Sequence, residues 1–155
     1  MTTVFREPLT IDNALTYGCA AIKIEHGNLT AASTSQTLTW STLATGVLQS
    51  AVPARVIILG AHANVITAFA GGGNTAVVLK LGYAGNDDEL IEDVDIMATG
   101  IKTRSGVYTL NTYEAAYAPI VTVTTTTGTC LGLTAGKVEL FIHYVQIPSI
   151  SVIPS

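Results

Sequence analysis

Apolar and polar residues alternate with a period of two along much of this chain, and no helical period is sustained anywhere. Successive side chains of a strand point to opposite faces of a sheet, so the alternation predicts strands with one buried face. It is clearest from Cys19 to Glu25, where Ile22 and Ile24 share a face and Lys23 and Glu25 take the other. It recurs from Val138 to Gln146, where Val138, Leu140, Ile142 and Tyr144 oppose Glu139, Phe141, His143 and Val145. Gln36–Trp40 sets Leu38 beside Trp40, and Ile120–Thr126, opened by Pro119, alternates Val121 and Val123 with Thr122 and Thr124. Arg55–Leu59 is nearly all apolar, which predicts a strand buried on both faces. Gly60 then marks a bulge or a close backbone approach, and Asn64–Phe69 continues the strand or begins another.

Between these segments lie turn signals. His26-Gly27-Asn28 is one. Gly71-Gly72-Gly73-Asn74 joins Phe69 to a strand at Thr75–Leu81, which reads as a hairpin. Gly82–Asp88 reads as a loop, and Asp88–Met97 as a short helix or irregular turn that ends by Gly100. Ile101–Leu110 suggests two weak strands around Ser105-Gly106. Leu131–Gly136 is a turn region. Leu43, Val47 and Leu48 fit a helical turn that Gly46 weakens. Residues 1–16 are polar and irregular, an expected N-terminal arm. Residues 146–155 are expected to be an extended tail, of which Pro148–Ser155 spans about 25 Å if fully stretched; it packs on its own domain or adds to a neighbour's sheet edge. The expected fold is all-β, an antiparallel two-sheet β-sandwich, jelly-roll-like, with extended terminal arms, and one domain over 1–155.

Composition changes the picture in one way. Charged residues are 12% of the chain, against about 25% in ordinary soluble domains. Thr takes their place. A surface of this kind lacks the charge repulsion that keeps monomers apart. It is either covered by another protein or simply a Thr-faced sheet. At 155 residues the chain buries roughly 70% of its unfolded surface and needs no metal or disulfide to hold a core. The net charge is −4 without a basic stripe, so nucleic-acid binding is not expected. The longest apolar run, Val56–Phe69, is interrupted by Gly60, His62 and Asn64, so no membrane span is expected. The N-terminus has no apolar signal region, which implies synthesis in the cytoplasm.

Candidate chemistry is sparse. Residues 86–95 hold six of the eleven carboxylates (Asp87, Asp88, Glu89, Glu92, Asp93 and Asp95). Calcium takes converging oxygens from such loops, but the central Gly of the usual calcium loop is missing, and a solvated loop is the plainer reading. His26, His62 and His143 show no metal-ligand spacing; His143 lies cross-strand to His62 only if the register allows. A nucleophilic site needs a Ser or Cys converging with a His, and no nucleophile elbow is present. The Gly71–Asn74 loop runs into a strand rather than a helix, unlike a phosphate cradle. Trp40, Tyr83, Tyr108, Tyr113 and Tyr117 are the aromatics available to stack on a sugar. Cys19 and Cys130 are either free thiols or a bridge. No catalytic, cofactor or metal residue is assigned.

One stretch has a wider likeness. Val65-Ile66-Thr67-Ala68-Phe69-Ala70-Gly71-Gly72, Val78-Leu79-Lys80-Leu81-Gly82, Asp87-Asp88-Glu89-Leu90 and Asp95-Ile96-Met97-Ala98-Thr99-Gly100 follow one another. The order resembles small structural proteins of tailed bacteriophages, and Gly136–Tyr144 is similar to their last strand. The resemblance covers a third to a half of the chain. It implies a β-sandwich that is not an enzyme. It further implies a virion location and a partner in the major capsid protein lattice. The implied role is a head decoration or cement protein, with a homotrimer favoured. The alternative is a carbohydrate- or receptor-binding module of a head fibre or tail.

Overall fold

The computed structural model describes residues 15–40, 43, 52–103, 111–113 and 118–147. These residues form β1 (Thr16–Glu25), β2 (Ser35–Thr39), β3 (Val56–Ala70), β4 (Ala76–Tyr83), β5 (Asn86–Asp95), β6 (Gly100–Thr103), β7 (Asn111–Tyr113), β8 (Pro119–Thr126) and β9 (Ala135–Gln146). Short 3-10 turns follow β1 and β8, at His26–Asn28 and Cys130–Gly132.

The strands make two antiparallel sheets. One has the order β1-β9-β3-β6, with β7 also paired to β3; the other has the order β2-β8-β4-β5. Apart from β4–β5 and β6–β7, each connection carries the chain from one sheet to the other. A five-stranded and a four-stranded antiparallel sheet interleaved in this way make a jelly-roll-like sandwich, as expected. Ile22, Ile24, Ile58, Val65, Val138, Leu140 and Ile142 of the first sheet are buried with Leu38, Val77, Leu79, Leu81, Val121 and Val123 of the second. The predicted alternation of β1, β2, β8 and β9 therefore places the expected residues inward, except at the end of β9, where Val145 is buried and Tyr144 half-buried.

Several expectations need correction. Gly71–Asn74 is a loop but not a hairpin, because β3 pairs with β9 and β4 with β8. Strand, Gly turn and strand read alike whether the chain returns to its own sheet or crosses to the other. The true hairpin is β4–β5, where Tyr83 pairs with Asn86. Residues 86–95 are accordingly an edge strand and not a loop, helix or irregular turn. Leu90 and Ile91 are both buried, and register shifts fall between Leu79 and Leu81 and between Leu81 and Tyr83. These irregularities break the period of two that would have revealed the strand. Arg55–Leu59 is buried on one face only, since Leu59 is 39% exposed. Of the weak strand pair at 101–110, β6 is present through Thr103, and the rest falls outside the described residues. β7 was not anticipated. Of the helical turn at Leu43, Val47 and Leu48 only Leu43, which is buried, is among them, and nearly all of both arms fall outside them; Thr16 already belongs to β1 and Gln146 to β9.

Two aromatic rings are seated on glycines of the first sheet. A Cβ on Gly136 would meet the Phe69 ring at 2.3 Å, and one on Gly18 would meet the Tyr144 ring at 2.3 Å. Gly136 also has φ +142, a conformation few other residues adopt.

Candidate functional site

A single residue of β3 decides what the outer face of the first sheet presents. Val56, Ile57 and Ile58 pair with Gln146, Val145 and Tyr144, but the next pair is Gly60 with His143. Leu59 is the extra residue of a bulge. Before it, Val56 and Ile58 point inward; after it, Ala63 and Val65 do. The bulge thus reverses the parity of the strand and turns His62 outward, opposite Phe141.

His62 thereby meets two rings of β9. It stacks on Phe141 with centroids 4.7 Å apart and an interplanar angle of 14°. Its centroid is 5.2 Å from that of His143, nearly parallel at 13°, and His143 Nε2 lies 3.2 Å from His62 Nδ1, a hydrogen bond between imidazoles. The cross-strand relation of the two histidines is therefore real. Burial, and after it the charge of His143, hold the His62 imidazole below its ordinary range.

Around the pair lies an open groove of about 500 Å³ lined by Leu59, Gly60, Ala61, His62, Ile101, Thr103 and His143. Ile101 is 70% exposed, and Tyr17 on β1 is 74% exposed. Sequence patterning did not single out Leu59, Ile101 or Tyr17, because an apolar residue in a strand is read as inward by default.

Cys19 lies opposite His143 in the β1–β9 register, so a thiol and two imidazoles follow one another across three strands. This row does not make an activated nucleophile. Burial pushes the Cys19 thiol up, and reactive thiols are lowered by neighbouring positive charge. Its Sγ lies 3.8 Å from the carbonyl of Ala20. Cys130 is buried in the second 3-10 turn, and neither cysteine is in a disulfide.

The remaining candidates fall into structural roles. In β5, Asp87 and Asp93 reach Lys80 of β4 at 3.9 and 3.8 Å, and a charged edge strand resists pairing with other chains. Among the described residues no three His, Cys, Asp or Glu side chains converge on a metal position. His26 is in the turn after β1, away from the pair. The Gly71–Asn74 loop is spent on packing: Asn74 Nδ2 donates to Gly71 O and Thr129 O, and Gly128 N donates to Asn74 Oδ1. Trp40 is buried and Tyr83 packs against the core, which removes Trp40 as a sugar platform; the side chains of Tyr108, Tyr113 and Tyr117 lie outside the described residues. No described helix is long and apolar enough to cross a membrane.

The outer face of the second sheet is different. Ser35 faces Thr124 at 3.3 Å and Thr37 faces Thr122 at 3.2 Å, hydroxyl to hydroxyl across β2 and β8. Beyond the strands, Thr75 meets Thr127 at 2.8 Å.

No protein-family model matches this chain, and no curated protein matches it by sequence. In three dimensions it is similar to a chain of the cyanophage Pam1 capsid asymmetric unit, with TM-score 0.50 and 11% identity over 93% of this chain and 94% of that one. It also matches a chain of the capsid of Ralstonia phage GP4, with TM-score 0.47 and 15% identity over 96% and 92% of the two. At such identities the likeness is one of fold.

Proposed function

We propose that this chain is a structural protein of a tailed-phage virion and that it decorates or cements the assembled head. The observation that carries the reading is the likeness to a chain of the Pam1 capsid asymmetric unit, which spans 93% of this chain and 94% of the other. The match therefore runs through nearly all of both chains. The low charge, 12% of residues, and the exposed apolar residues around the first sheet's outer groove support a chain that sits against others. A chain in this role does no covalent chemistry.

In this role the protein bridges neighbouring subunits of the shell. A ligand that binds only the assembled lattice stabilises it by mass action. A trimer at threefold positions of the lattice is the form we favour, with residues 1–16 and 146–155 contacting the capsid or neighbouring copies. The test is co-sedimentation of the full chain with purified expanded capsids. The expected result is saturable binding and a shell more resistant to disruption. A chain that stays in the supernatant with every capsid and tail assembly offered sinks the reading, and specific retention on a glycan array would replace it with a receptor-binding role.

A further inference from the structure

The hydrogen-bonded imidazoles on the first sheet have a property that neither histidine has alone. We propose that His62 and His143 form an acid-sensitive latch between β3 and β9, closed while the two rings carry at most one positive charge and opened when both are protonated.

Counting protons leads to this. A neutral imidazole has one N–H and one lone pair. Across the 3.2 Å contact, one ring donates its N–H and the other accepts through His62 Nδ1 or, in the opposite tautomer, His143 Nε2. The first added proton goes to the donor ring's remote nitrogen. The inter-ring bond survives and becomes charge-assisted, hence stronger. After that the pair has one lone pair left, and it is the one accepting the bond. A second proton must take it. Two N–H groups then face each other with like charges, and the contact opens.

The surroundings do not rescue the doubly charged state. From β9, Phe141 stacks on His62 and Glu139 lies one same-face position further on, where the register sets it opposite Lys23 of β1 and Asn64 of β3. From β1, the group opposite His143 is the Cys19 thiol, which partial burial pushes up. From β6, Thr103 is opposite His62, Ile101 is opposite Asn64, and Lys102 has the other parity. No carboxylate of these four strands stands opposite either imidazole. The groove walls at Leu59, Ala61 and Ile101 are apolar and solvate charge poorly. Gly60, opposite His143, has nothing within 4 Å of the place its Cβ would occupy, so the rings have room to part. The inference stands on this geometry and is independent of the virion reading.

The linkage has a definite sign. His62 takes a proton less readily in the folded chain than in the unfolded one. The stabilisation is therefore present above the ordinary histidine range and is lost as the pH falls through and below it.

The experiment is a titration of the full chain, 15N-labelled at histidine, from about pH 8 to about pH 4.5. His62 and His143 are expected to titrate in two separate steps, as strongly coupled sites do. The inter-ring bond should persist through the first step and vanish in the second. His62→Gln, and separately His143→Gln, should leave the remaining ring with a single step. Thermal melts across the same range should show the native pair losing more stability in acid than either variant. A single common step for both rings overturns the latch, as does a partner ring whose titration ignores the substitution. The native chain alone decides the first point, whether or not the variants fold.

Discussion

The two sheets have matching strand order, β1-β9-β3-β6 against β2-β8-β4-β5, and both fill their inner faces with Val, Leu and Ile. They differ in everything else. The first is finished with rings: Phe69 over Gly136, Tyr144 over Gly18, and the row of Phe141, His62 and His143 outside. The second is finished with hydroxyls, from buried Thr125 to the Ser35–Thr124 and Thr37–Thr122 pairs. Rings need floor space, which glycine supplies, and they leave apolar area that gains from being covered. Hydroxyl pairs satisfy each other and need no partner beyond water. The same fold therefore carries one face suited to contact and one already complete.

Where rings sit on glycine, adding a single methyl should have the largest effect. Gly136→Ala puts a Cβ 2.3 Å from the Phe69 ring at a φ of +142. Overpacking and backbone strain together predict a loss of about 3 kcal/mol, read from the urea midpoint. Gly60→Ala in the same sheet meets open space and should stay within about 0.5 kcal/mol. Equal losses at the two sites would show that the first sheet is not held by its ring seats.

The second sheet should break at its buried hydroxyl. Thr125 is 3% exposed, and its Oγ1 lies 3.2 Å from Thr34 O and 3.1 Å from Gly128 O. Thr125→Val keeps the shape and removes the donor. Thr34 O keeps its bond from Thr125 N, so Gly128 O is the group left short. The expected loss is about 1–2 kcal/mol, seen as a lowered Tm. No loss would mean that the hydroxyl network adds nothing to this sheet.

The difference between the sheets was only partly legible in the sequence. Inward faces were readable wherever the period of two ran unbroken, as in Val138-Glu139-Leu140-Phe141-Ile142. The acidic strand β5 was not, because Leu90 and Ile91 are buried in succession and charge normally signals a loop. The jelly-roll crossing at Gly71–Asn74 was hidden because a turn's local chemistry is blind to which sheet receives the next strand. The histidine pair was reachable only as a possibility. Its contact depends on the one-residue bulge at Leu59, and without that bulge His62 would face the core. Gly60 hinted at a bulge, but no local rule said that it would reverse the parity of β3 as far as Val65, where a further register shift follows. The Thr–Thr pairs were equally out of reach, since they need the β2–β8 register.

Those pairs give the smallest and most discriminating test. Thr37 and Thr122 face each other on the outer side, with Oγ1 atoms 3.2 Å apart. Thr122 is nearly covered and Thr37 is exposed. Cross-strand pairs of this type are worth roughly 0.2–1 kcal/mol. A double-mutant cycle of Thr37→Val, Thr122→Val and both together should give a coupling of about 0.5 kcal/mol. The sign is the point. If each hydroxyl satisfies the other, the first replacement strands a partly buried donor, and the second removes the stranded group at little further cost. If water satisfies them separately, the two losses add and the coupling is zero. In that event the second sheet's outer face is merely polar, and only the ring-lined face would distinguish one side of the sandwich from the other.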